Sequence, residues 1–102
     1  MELHPGLRLE SATCDTQVVV VKAPKDATAV DLRCGGQPMR ELGTGGERLP
    51  VTTEGDPTLL GKRYSDDDAR LEVLCTAGGA GSLTVGDRPL LVKGAKPLPS
   101  SD

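Results

Sequence analysis

The sequence predicts a small all-β protein made of two related hairpin units, and three observations carry that prediction. Residues 18–21 are four consecutive valines, a β-branched run that disfavours helix and fits a pleated surface. Glycine and proline punctuate the chain, with 13 Gly and 8 Pro among 102 residues, which leaves only short stretches for regular elements. A pattern of strand, turn, strand, Gly corner and x-Pro is written twice, the signature of an internal repeat.

The elements follow in order. Residues 1–10 read as a polar approach in which Leu7 and Leu9 alternate with Arg8 and Glu10, as in a short strand with one buried face. Residues 17–23 are the strongest strand, and their apolar run predicts cover on both faces. Pro24-Lys25-Asp26 supplies a turn. Residues 30–34 return as an alternating strand, Gly35 and Gly36 open dihedrals closed to other residues, and Pro38 sets the exit. Residues 43–63 contain Gly43, Gly45, Gly46, Pro50, Gly55, Pro57 and Gly61 and read as a tether between two units. Within it Asp56-Pro57 is suited to cap one short helical turn, and Leu59 and Leu60 are placed to tuck into the core.

Residues 64–75 fit two patterns. Ser65-x-x-Asp68 ahead of Leu71, Leu74 and Cys75 suits a capped helix, whereas Leu71, Val73 and Cys75 alternate as in a strand. Gly78-Gly79-Ala80-Gly81 then makes a tight turn and residues 82–85 a returning strand. The repeat decides for the hairpin. Residues 31–39 align without a gap on residues 82–90, so that Leu32 meets Leu83, Gly35 meets Gly86, Pro38 meets Pro89 and Met39 meets Leu90. Upstream, residues 18–21 lie over residues 71–74. The expected organisation is a first unit over residues 1–42, a Gly/Pro-rich linker over 43–63, a second unit over 64–98 and a tail over 99–102. Gly35, Gly36, Pro38, Met39, Gly86 and Pro89 are the expected structural residues.

Composition narrows function mainly by exclusion. Tyr64 is the sole aromatic residue, so the core must come from Val, Leu, Ala and Met. A domain of this size is marginal by itself and gains from a partner, a metal or a disulfide. A net charge of −3 with mixed signs lacks the basic stripe of a nucleic-acid binder. Asp66, Asp67 and Asp68 read as a solvated turn and fail the spacing of a calcium loop. Residues 1–6 lack the basic and apolar regions of a signal peptide, and no apolar run nears the ~20 residues that span a bilayer. Three cysteines, an odd number, suit a reducing, cytoplasmic setting. With one histidine, His4, general-base capacity near neutral pH is small, and Gly61-Lys62 lacks the rest of a P-loop. The expectation is a protein that is not an enzyme and that binds neither nucleic acid nor membrane.

The stretch from Cys14 to Met39 is where chemistry concentrates. Cys14, the valine strand, Leu32, Cys34, the Gly35-Gly36 corner and Met39 together resemble desulforedoxin and the desulforedoxin-like N-terminal domain of superoxide reductases. That pattern runs C-x-x-C-G, a Val-rich strand, then L-x-C-C-G-x-x-M. The resemblance covers roughly residues 8–40 and implies small rubredoxin/desulforedoxin-like hairpin units. It also implies a pseudo-dimer, with the second copy standing in for a partner chain. In the family four thiolates hold one iron. Here Cys14 and Cys34 match the second and third of those cysteines, while Ser11 and Gly35 stand in place of the first and fourth. The second copy carries Tyr64, Asp67, Val85 and Gly86 in the equivalent places, and its Cys75 aligns with Lys22.

Three roles are open to Cys14 and Cys34. They are free, half-buried thiols; or ligands of iron or zinc completed by Cys75, His4 or a partner's residue; or a disulfide, structural or redox-active. Tetrahedral thiolates at ~2.3 Å from a metal lie ~3.7 Å apart, and closing them to ~2.05 Å needs a small shift. The lost ligands and the thin core point to a non-catalytic accessory or binding protein without a cofactor, the small subunit or stabilising partner of a larger enzyme or of itself. Residues 18–21 or Leu59 and Leu60 would supply its contact surface. A mononuclear iron or zinc thiolate protein, or a redox-active disulfide, is the alternative.

Overall fold

A computed structural model describes residues 3–24, 30–52 and 55–93. Ten short strands form two antiparallel sheets, and the described residues contain no helix. The strands are β1 (Arg8–Glu10), β2 (Gln17–Lys22), β3 (Leu32–Cys34), β4 (Gln37–Pro38), β5 (Arg40–Glu41), β6 (Arg63–Asp66), β7 (Leu71–Ala77), β8 (Leu83–Val85), β9 (Arg88–Pro89) and β10 (Leu91–Lys93). The larger sheet runs β10-β6-β7-β2-β1-β5 and the smaller β4-β3-β8-β9. No helix among the described residues is long and apolar enough to cross a membrane.

Each half of the chain contributes three strands to the larger sheet and two to the smaller, in mirrored order. The halves meet at β2 with β7 and at β3 with β8. In these pairs Val20 faces Val73 and Arg33 faces Thr84, residues that also coincide when the two stretches of sequence are aligned. Backbone bonds repeat in the same way. Gly35 N–H donates to the Ser82 carbonyl at 3.0 Å, and Gly86 N–H to the Asp31 carbonyl at 2.8 Å. Met39 N–H donates to the Leu32 carbonyl and Leu90 N–H to the Leu83 carbonyl, both at 3.0 Å.

One core lies between the sheets. The larger sheet turns Leu9, Val18, Val20, Tyr64, Leu71, Val73 and Cys75 inward, and Leu32, Cys34, Leu83 and the flanking Val30, Met39 and Leu90 meet them from the other side. Period-two alternation explains the choice, since residues i and i+2 share a face of a strand. It also corrects the expectation for β2. Val18 and Val20 are buried, but Val19 and Val21 are only half-buried, because the second sheet covers one face. Residues 18–20 pair with β1 or β7 and Val18 and Val20 are buried inward, while Val21 lies at a register shift between Val20 and Lys22 and is half-buried.

Residues 64–75 form strand rather than helix, but residues 71–75 and 82–85 do not pair as the expected hairpin: β7 pairs with β6 and β2, while β8 lies in the other sheet beside β3 and β9, because the 78–81 stretch carries the chain from one sheet to the other. Gly35, Gly36 and Gly86 take φ of 67°, 89° and 62°, the left-handed region that favours glycine. Three other expectations change. Leu59 and Leu60 do not tuck into the core but stand 50% and 68% exposed. Asp56-Pro57 starts no helical turn. Asp66 is not a solvated turn residue: it is buried at the end of β6, where the Arg88 guanidinium pairs with its carboxylate. The linker is laced to the body, with Leu49 N–H on the Ala12 carbonyl at 2.6 Å and Thr52 N–H on the Gly35 carbonyl at 2.9 Å. Lys25 and Asp26 of the expected turn, residues 94–98 of the second unit and the tail 99–102 lie outside the described residues.

Candidate functional site

The bend between β1 and β2 builds one wall of the site. Ser11 N–H donates to the Thr16 carbonyl at 2.8 Å and closes the bend. Inside it the N–H groups of Thr13 and Cys14 donate to Ser11 Oγ at 3.0 and 3.2 Å. A short polar side chain that satisfies nearby backbone donors is how serine shapes a turn. The result is a Cys14 side chain aimed at the end of β3.

Cys34 arrives from that end. It is fully buried, its carbonyl accepts from Thr13 Oγ1 at 3.2 Å, and the Gly35 corner turns the chain away directly behind it. Gly35 needs its glycine twice over. Its φ is positive, and a Cβ there would come 2.4 Å from Thr13 Oγ1.

The two sulfurs stand 3.8 Å apart, the spacing expected of adjacent thiolate ligands and within a small shift of a disulfide. Ser11 Oγ is 3.4 Å and Thr16 Oγ1 3.2 Å from Cys14 Sγ. The third wall comes from the second half of the chain. Gly81 N–H donates to Cys14 Sγ at 3.3 Å. A Cβ on Gly81 would come 2.8 Å from Cys34 Sγ and 3.0 Å from Cys14 Sγ, and one on Gly79 would come 3.0 Å from Cys14 Sγ. The Gly78–Gly81 turn is therefore glycine-rich because backbone must pass where side chains would displace the sulfurs.

The pair is chemically unequal. Cys14 is half-buried and lines an open cavity of about 490 Å³ with Glu10, Asp15, Arg40 and Arg48. Burial pushes its thiol up, but the hydrogen bonds of Ser11, Thr16 and the Gly81 amide outweigh that and bring it down to about 6. Charge on the cavity wall is paired within itself, Arg40 with Glu10 at 3.3 Å and Arg48 with Asp15 at 3.0 Å. Cys34 is pushed up to about 11, by burial first and by the neighbouring Cys14 charge, with the Ser11 and Thr16 hydroxyls offsetting part.

The other proposed ligands stay apart from this pair. Cys75 is buried in β7 across from Val18, its thiol donates to the Ala77 carbonyl at 3.2 Å, and burial holds it above the ordinary thiol range. His4 is exposed and lines a separate cavity with Leu3, Val21, Lys22 and Arg70. Among the described residues no three His, Cys, Asp or Glu side chains converge as a metal site would need. A four-thiolate iron does not fit the donors present, which are two sulfurs and the hydroxyls of Ser11 and Thr16, with backbone of the 78–81 turn against both sulfurs.

Thr13, Thr16, Thr58, Gly79 and Gly81 belong to the site, although nothing in the sequence marks them as part of it. The one signal near them is the glycine cluster, which alone says turn. No protein-family model, curated protein or solved structure matches the chain.

Proposed function

We propose that this chain is a dithiol–disulfide redox protein whose working pair is Cys14 and Cys34. The observation that carries the reading is the 3.8 Å contact between the sulfur of Cys14, a half-buried residue that lines an open cavity, and that of the fully buried Cys34. A low-pKa thiolate that lines an open cavity attacks, and a sheltered neighbour resolves. The Cys14 thiolate displaces one sulfur of a substrate disulfide, forming a mixed disulfide and releasing the first thiolate. Cys34 then gives up its proton and attacks Cys14 Sγ, forming the Cys14–Cys34 disulfide. The second substrate sulfur leaves with the bond's electron pair and takes the proton. Two electrons pass from the protein to the substrate, and a thiol donor must return them.

The test pairs two measurements on anaerobically purified protein. Oxidised glutathione should convert the native chain to an internal disulfide with loss of two hydrogens. Cys34→Ser should instead stop at a glutathione adduct on Cys14. Stoichiometric iron or zinc, lost in Cys34→Ser, would overturn the reading in favour of a metal thiolate centre, and adducts that never resolve in the native chain would overturn it outright.

A separate observation favours a second role, as the small subunit or stabilising partner of a larger protein. Leu59, Leu60, Leu91 and Val92 are exposed on the second half, and a cavity of about 610 Å³ there is lined by Leu59, Tyr64, Leu83, Pro89, Leu90 and Val92. Exposed apolar side chains beside such a cavity suit an interaction site. We also read the mirrored strand order as an internal pseudo-dimer, in which each unit covers the other. Sedimentation of the pure chain checks the partner role. A monomer that stays stable and soluble after Leu60→Asp and Leu91→Asp, with no change in any assembly, counts against it.

A further inference from the structure

We infer that Thr58 is a positioning residue for the Cys14 sulfur, acting through the backbone of Gly81. The inference rests on the dithiol reading and adds to it a residue from outside the first unit. Thr58 lies in the stretch between the two units, where a polar side chain is expected to face solvent, yet it is 2% exposed. Three hydrogen bonds tie it to the turn over the sulfurs. Thr58 N–H donates to the Gly79 carbonyl and Gly79 N–H to the Thr58 carbonyl, both at 3.0 Å. Thr58 Oγ1 donates to the Gly81 carbonyl at 2.7 Å. That last bond fixes the chain at the residue whose N–H meets Cys14 Sγ at 3.3 Å.

The turn is also held at its two ends, by Gly35 N–H on the Ser82 carbonyl at 3.0 Å and by Ala77 paired with Gln17, but between them Thr58 bonds to both Gly79 and Gly81. Its glycines carry no side chains with which to pack, and their backbone must thread beside Thr16 and both sulfurs. A backbone amide is a fixed dipole that stabilises sulfur anion only if it is held in place. Thr58 is the side chain that holds it. The groups that face Cys14 otherwise are Ser11 and Thr16 on its own bend, the Cys34 thiol from β3, and the paired Glu10–Arg40 and Asp15–Arg48 charges around the cavity. The Cys75 thiol on β7 senses the Cys14 charge as well. Among the described residues Thr58 forms its hydrogen bonds with the 78–81 turn and not with these groups, so a change at Thr58 reaches the sulfur by way of the turn.

The experiment compares Thr58→Val, which keeps the shape and removes the donor, with Thr58→Ser, which keeps the donor. The readout is the pH profile of Cys14 alkylation by iodoacetamide in the full chain, followed by peptide mass. Thr58→Val should move the midpoint upward by about 0.5–1 pH unit, the worth of part of one charge-assisted hydrogen bond, and lower the rate at pH 6 by up to about twofold once the greater basicity of the thiolate is counted. Thr58→Ser should restore it. A Thr58→Val chain that folds and keeps the native midpoint overturns the proposal.

Should that variant not fold, the native chain still decides. The Gly81 amide proton should shift in NMR spectra with the same midpoint as Cys14, and a Gly81 amide that does not titrate also overturns the proposal. The dithiol reading fails by a different result, the absence of the internal disulfide, so the two failures are distinguishable.

Discussion

Alkylation of Cys14 as a function of pH tests the electrostatics of the site directly. Its thiol sits at about 6, so at pH 6 about half is thiolate, against about 0.3% for an ordinary thiol of pKa ~8.5. That is roughly a 150-fold advantage in reactive form. A less basic thiolate is also a weaker nucleophile, and with a Brønsted slope near 0.45 the lower basicity costs about thirteenfold. The net expectation is that native Cys14 reacts about tenfold faster than the same residue in the urea-unfolded chain at pH 6, and about twofold faster at pH 7. The curves should cross near pH ~7.5, above which the unfolded chain reacts faster. Iodoacetamide labelling with peptide mass readout gives both curves from one protein. Restricted access in the cavity scales the native curve without moving its midpoint, so the midpoint is the decisive quantity. A native rate that keeps climbing toward pH ~8.5 in parallel with the unfolded chain would refute the argument that Ser11, Thr16 and Gly81 stabilise the thiolate.

Two further outcomes follow from the same geometry. Gly35→Ala places a Cβ 2.4 Å from Thr13 Oγ1 at a positive φ, and should cost about 1–3 kcal/mol in a urea titration while slowing formation of the Cys14–Cys34 disulfide. Stability should also follow pH in two directions. Because Cys14 is lowered on folding, the unfolded chain binds more protons between pH 6 and the ordinary thiol value of ~8.5, so the denaturation midpoint should rise across that window and fall away as pH drops through 6. Cys34 is raised, so its contribution is present below ~8.5 and is lost as pH climbs toward 11. Cys14→Ser should flatten the lower limb and weaken the upper one without abolishing it, since burial still raises Cys34 once the Cys14 charge is gone.

Much of the scaffold is legible along the chain because its signals are local. A run of valines, a glycine that must take positive φ and a proline that cannot donate act within a few residues of themselves. Residues 64–75 are ambiguous locally, and only their match to the first unit points to a strand. Apolar residues in a linker, by contrast, need not seek the core. Leu59 and Leu60 stay outside, while the neighbouring Thr58 goes inside because its backbone and hydroxyl satisfy the 78–81 turn. Asp66 departs from its local pattern for the same reason, since its partner Arg88 lies 22 residues away.

The sequence by itself determined an all-β chain, the positions of its corners and the two cysteines worth attention. It also limited the site, since Cys14 and Cys34 are the only thiols in residues 1–63. The tertiary structure decided how the remaining pair behaves. Sheet pairing of β3 with β8 and closure of the β1–β2 bend bring Cys34 and Cys14 to 3.8 Å, and the 78–81 turn lays an amide on one sulfur while burying the other. A thiol's acidity is set by which dipoles and how much water surround it. Those neighbours come from residues 11, 16 and 81, a set that no stretch of sequence contains and that only folding assembles.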